Sequence, residues 1–171
     1  MVPVLKPFLF ATLGCPGSGK TYFSENFAKE YKIFHLQSDY LRRKCFKSPQ
    51  FSSEENFVFY KFMNGFAEAL LDQGFSVIFD ANSNLREYRQ EFQQLAQKYH
   101  AQYATLWFQT PIEVAYQRTL LRDNQLSRAY IEQLAAEIEP PIDIEPHIVL
   151  PVDLDYPEKK ALVLKALGIT E

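Results

Sequence analysis

Gly14, Gly17, Gly19, Lys20 and Thr21 stand in the stretch GCPGSGKT, and their types and spacing could do chemistry. Glycines so spaced let consecutive backbone N–H groups turn inward around a phosphate. A helix opening at the end of the loop adds free N–H donors and the positive end of a dipole. Lys20 has the reach for the outer phosphates of a nucleotide, and the Thr21 hydroxyl can ligate Mg2+. The pattern G-x-x-x-x-G-K-[ST] is that of a P-loop, so ATP with Mg2+ is the expected ligand. Cys15, Pro16 and Ser18 complete the loop, Cys15 as a small residue in its wall.

Three further groups suit the same chemistry. Asp80 ends the apolar run VIFD, where an acid can organise Mg2+ or its water shell. A helix cap is the plain alternative, but Asn82, Ser83 and Asn84 serve that role equally well. Asp39 ends a second strand, with Arg42 three residues on. A phosphoryl acceptor needs a carboxylate to take its proton and a cation for a neighbouring anion. The alternative is that Asp39 caps a short helix with Arg42 and Arg43 on its solvated face. Arg118 and Arg122 are four apart on a predicted helix and share one face, from which they can stabilise charge on a transferring phosphoryl group. The run RDNQLSR from Arg122 reads as a mobile segment.

These residues need elements to hold them. Phe8–Leu13 is a short apolar run, read as a buried strand. Phe23, Phe27, Ala28 and Tyr31 recur at helical spacing after the loop. Ile33–Leu36 is a second strand. Ser52 with Glu55 makes a capping-box pattern ahead of a long helix that Gly74 stops. Phe75–Asp80 lacks polar alternation and reads as a strand buried on both faces. Leu85 to Tyr99 forms a helix, and Tyr103–Phe108 a fourth strand. Thr110, Pro111 and Glu113 open another helix with a cap, a first-turn proline and a capping-box acid. Ser127 opens one more, which Pro140 and Pro141 end. His147–Val152 is a fifth strand and Pro157–Leu167 a closing helix. Strands alternating with helices imply a parallel sheet covered on both faces, with ligands at the carboxyl ends of its strands.

Composition sets bounds. The chain has 171 residues, 47% hydrophobic and 15% aromatic, enough for one domain with a proper core. Its net charge of −3 argues against extended nucleic-acid binding, which needs a basic face. Residues 1–128 carry 15 Lys and Arg against 12 acids, whereas 129–158 carry eight acids and no Lys or Arg. An anionic ligand therefore belongs on the first three-quarters of the chain. Two cysteines suggest neither a disulfide framework nor a metal site, so a cytoplasmic location is expected. The apolar run after Lys6 is too short for a secretion signal, and no run approaches a membrane span.

Four separated pieces, GCPGSGKT, SDYLRR, FDANSN and RTLLRDNQ, together resemble the kinase domain of phage-type polynucleotide 5′-kinases. They are similar also to the wider group of small AAA-type P-loop kinases that includes zeta-toxin-like enzymes. The resemblance spans roughly Leu9 to Glu145 and implies an α/β P-loop NTPase fold. Five parallel strands would lie in the order 2-3-1-4-5, with helices on both faces and a small helical lid near 118–138. It implies one kinase domain over 1–171 that transfers the γ-phosphoryl group of ATP to a hydroxyl. Lys20 and Thr21 would hold the β/γ-phosphates and Mg2+. Asp39 would be the general base, and Arg42 would contact the acceptor's phosphate. Asp80 would organise the metal region, with Asn82 beside it on the acceptor side. Arg122 would be the lid arginine on the donor phosphates, supported by Arg118. The run ANSN departs from the Thr-Asn-Leu-Asn-like run usual in polynucleotide kinases, and EIEPPIDIEP matches the wider group.

The acceptor stays open: a nucleic-acid 5′-end, a nucleotide or nucleoside, or a sugar or antibiotic alcohol. A GTP switch would need Asn-Lys-x-Asp after a strand, which this sequence lacks. A nucleotide-binding module without catalysis would leave Asp39 and the arginine pair unexplained.

Overall fold

The computed structural model describes residues 6–81, 83–121 and 125–169. Five strands form one parallel sheet: β1 (Phe8–Leu13), β2 (Phe34–Gln37), β3 (Val77–Asp80), β4 (Gln102–Gln109) and β5 (His147–Pro151). Their spatial order is β2-β3-β1-β4-β5, the expected 2-3-1-4-5. The helices are α1 (Lys20–Tyr31), α2 (Ser38–Cys45), α3 (Ser53–Asp72), α4 (Arg86–Lys98), α5 (Ile112–Leu120), α6 (Arg128–Ala136) and α7 (Tyr156–Ala166).

All residues of β1 and β3 are buried, because these strands lie inside the sheet with helices on both faces. One face packs Leu9, Ala11 and Phe79 against Phe59, Met63 and Leu71 of α3 and Phe92 of α4. The other packs Phe8, Phe10 and Leu106 against Phe23 and Phe27 of α1 and Val163 and Leu164 of α7. A smaller cluster seats Ala115 of α5 and Ile131 of α6 on Cys15.

Element ends differ from expectation for local reasons. β2 and β3 start later than the apolar runs suggest. Phe75 is exposed and meets Phe34 edge-on, while the Ser76 hydroxyl accepts from the Phe8 amide at 3.2 Å. Ser52 caps α3 by accepting from the Glu55 amide, but the Glu55 carboxylate turns to Arg42 and the Gln50 amide, leaving the capping box half made. Pro111, not Thr110, is the N-cap of α5; the Thr110 hydroxyl reaches the Ser18 carbonyl instead, at 3.4 Å. α7 has a full capping box from Asp155 and Glu158, with proline in its first turn.

Candidate active site

The glycine loop joins β1 to α1. Gly17 has φ 85°, and a Cβ there would overlap the Ala115 carbonyl, so only glycine lets α5 rest on the loop. Gly19, at φ 98°, is the left-handed N-cap of α1; an added Cβ would meet open space, with Arg118 Nη1 the nearest atom at 4.0 Å. Arg118 of α5 therefore stands over the phosphate end of the loop. Lys20 Nζ donates to the carbonyls of Gly14 at 2.6 Å and Cys15 at 3.0 Å, which folds the cation over the cradle. Ser18 is buried, and its Oγ has no partner among the described residues. A buried polar atom lining a ring of glycines suits a bound phosphate. Burial pushes the Cys15 thiol up against the opposing pull of Lys20, so this cysteine packs rather than reacts. Pro16 is half-buried in the same loop.

Asp80 sits beside this loop and is 4% exposed. The Thr12 hydroxyl of β1 donates to Oδ1 at 3.1 Å, and His35 of β2 faces Oδ2 at 3.0 Å. Burial alone would raise its carboxyl; hydrogen bonds from His35 and Thr21 and the charge of Lys20 outweigh that and hold it below the usual carboxylate range. Thr21 and Lys20 are thus near enough to Asp80 to act on its carboxyl, the neighbourhood that a shared metal shell needs. Asp80 caps no helix: Leu85 is the N-cap of α4, and the Asn84 amide reaches the Leu134 carbonyl. His35 and Thr12 escaped the sequence reading. His35 carries no motif, and only the β2–β3 pairing brings it to Asp80.

Gln37 pairs with Asp80 across the sheet, so α2 begins level with it. Asp39 lies exposed in the first turn of α2, one turn from that edge. It is not the cap, because the N-cap is Gln37 and no side chain caps this helix. Arg42 departs from both sequence readings. It is 4% exposed, pairs with Glu55, donates to Asn56 at 2.8 Å and stacks on Phe51, Phe59 and Tyr60. A guanidinium so engaged is neither on a solvated face nor presented to an acceptor phosphate; the aromatic wall of α3 made burial with Glu55 favourable.

Arg118 is exposed, and its charge, after burial, helps lower the ammonium of nearby Lys159. Arg122 and Asn82 lie outside the described residues, as do Asp123 and Asn124 of the expected lid run. Among the described residues no helix is long and apolar enough to cross a membrane.

Residues 9–141 match the family model described as AAA domain, AAA_33. The chain belongs to this AAA domain family. No curated protein sequence matches it. Similar solved folds include an unliganded sugar kinase from Janibacter sp. HTCC2649, at TM-score 0.73 and 20% identity over 96% of each chain. The Mycobacterium tuberculosis APS kinase CysC, in complex with AMPPNP and APS, gives TM-score 0.69 and 20% identity over 96% of this chain and 99% of that one. A chain of the Pnkp1/Rnl/Hen1 RNA repair complex gives TM-score 0.68 and 23% identity over 78% and 44%. Such identities show a shared P-loop kinase-like fold within which this AAA domain is built.

Proposed function

We propose that this AAA domain is an ATP-dependent kinase that transfers the γ-phosphoryl group to a hydroxyl acceptor. The place of buried Asp80 beside the glycine loop, where Thr21 and Lys20 act on its carboxyl, with exposed Asp39 on the adjoining helix, carries this reading. The loop amides and Lys20 bind the phosphates, Arg118 stands over the donor, and Arg122, outside the described residues, is assigned to the donor phosphates beside it. Thr21 and Asp80 would hold Mg2+, which keeps several of its own waters and neutralises phosphate charge when bound. Asp39 accepts the acceptor proton as its oxygen bonds to the γ-phosphorus; the bond to the bridging oxygen breaks and ADP leaves.

The similar folds include a sugar kinase, an APS kinase and a chain of an RNA repair complex, so the fold leaves the acceptor open. A nucleic-acid or nucleotide 5′-hydroxyl is one reading. The engagement of Arg42 with Glu55 favours the other, a small alcohol with no phosphate beside its hydroxyl. A panel of 5′-hydroxyl oligonucleotides, nucleosides, sugars and antibiotic alcohols, assayed with labelled ATP, tests both. Asp39→Asn is expected to bind ATP as wild type does and to lower kcat by roughly 10²- to 10⁴-fold on the true acceptor. Equal turnover of wild type and Asp39→Asn removes the base from the mechanism, and no transfer to any acceptor leaves an ATP-binding module.

A further inference from the structure

The acidic connector after α6 and the turn after Asp80 are joined by a buried network that the phosphoryl chemistry does not use. Arg89 of α4 is 1% exposed. Its Nη1 donates to the carbonyls of Ser83 at 3.0 Å and Asn84 at 2.9 Å, and its Nε donates to Glu145 at 2.9 Å. Arg86 holds the other oxygen of Glu145 at 2.7 Å. The same turn grips the α6 end from the other side. The Asn84 carbonyl accepts from the Glu139 amide at 3.0 Å, the Asn84 amide donates to Leu134 at 3.4 Å, and the Arg86 amide donates to the Glu139 carboxylate at 2.6 Å. Glu145 is also anchored to β5, since its carbonyl accepts from His147 Nδ1 at 2.7 Å.

We propose that Arg89 and Glu145 are positioning residues that make the turn after Asp80 and the acidic connector after α6 one mechanical unit, which Asn84 and Arg86 extend to the end of α6. Ser83 and Asn84 come within four residues of Asp80 in the chain, so a pull on their backbone bears on the end of β3 that carries that carboxylate. α6 in turn packs through Ile131 on Cys15 of the glycine loop. A displacement of α6 over the loop is therefore passed by hydrogen bonds to the metal-side acid, over a span that sequence separation alone would leave uncoupled. A buried, multiply bonded guanidinium suits this role because it has few alternative geometries. The catalytic part of the proposal rests on the kinase reading above.

Arg89→Lys keeps the charge and loses the fork that holds two carbonyls and a carboxylate together. In the folded variant, the Arg86 and Glu139 amides are expected to exchange with solvent at least about tenfold faster, while Ala11 in β1 keeps its protection. On the acceptor found above, kcat is expected to fall roughly 10- to 100-fold with KM for ATP little changed, as misplacement of a catalytic group predicts. If Arg89→Lys does not fold, Arg86→Ala, at a more exposed residue that gives Glu145 one bond, carries the same two measurements. Wild-type protection at Glu139 overturns the tie, and unchanged kcat per folded molecule overturns its role in catalysis. A wild-type protein that phosphorylates nothing fails the kinase reading instead, and amide exchange then decides the tie by itself.

Discussion

At the scale of the residue, Lys20 is the side chain on which nucleotide binding turns in the proposed reading. Its ammonium now rests on the Gly14 and Cys15 carbonyls, a neutral contact that a phosphate can replace. Lys20→Ala leaves the backbone cradle and removes the loop's own cation. Turnover is expected to fall at least about 100-fold without loss of the fold. Titration calorimetry with Mg2+-ATP and a melting curve check it: normal affinity in a folded variant means that the loop does not grip phosphate through this residue. Asp80 differs in kind. It is held from two strands at once, by Thr12 and His35, so it is set by its neighbours rather than by its own rotamer.

At the scale of the element, the contact between the glycine loop and α5 has no slack. Gly17 touches the backbone of α5 at Ala115, and Thr110 ties the start of the same helix to Ser18. Gly17→Ala must both hold a positive φ with a Cβ and push α5 away. The expected cost is on the order of 2 kcal/mol or more of stability, with a loss of ATP affinity as Arg118 moves with α5. Urea unfolding and ATP titration measure the two effects, and a variant with wild-type values for both would show that the helix can retreat freely. Gly74 makes a contrast. It too has a positive φ, but a Cβ there would meet nothing within 4 Å. It serves the end of α3, and its φ is the whole requirement.

At the scale of the whole molecule, the long-range ion pairs tie late segments of the chain to early ones, and Glu145 is the pivot. Burial alone would raise its carboxyl, but Arg89 and Arg86 prevail and hold it below the usual carboxylate range. A folded-state pKa below the unfolded value stabilises the protein at pH above about 4.3 and ceases to as pH falls through the lowered value. Glu145→Gln leaves Arg89 buried without its counter-charge, which is expected to cost on the order of 3 kcal/mol at neutral pH. The gap to wild type is expected to close as pH falls from about 5 through the lowered value, read by urea unfolding at each pH. A gap that stays constant over that range would mean that Glu145 does not titrate there. The exposed Arg128–Glu132 pair on α6 has no comparable effect, since water screens it.

The sequence by itself determined the class of fold and the place of the glycine loop between β1 and α1. Both rest on local rules: alternating apolar runs and helical spacings give the strand–helix order, and glycine spacing before Lys20 and Thr21 admits few backbone paths. Ser52, Ser127 and Gly74 marked helix ends for the same reason, because a cap acts within one turn. Only the tertiary structure decided which side chains those local rules bring together. The β2–β3 pairing put His35 on Asp80, although 45 residues separate them. Arg42, which its place after Asp39 assigned to an acceptor phosphate, was turned inward by Glu55 and three aromatic rings of neighbouring segments. The acidic run 137–145, which in sequence shows only its charge, became the partner of α4 through Glu139 and Glu145. Charge pairing of this kind depends on distance in space and on exclusion of water, and neither quantity is written in the order of residues.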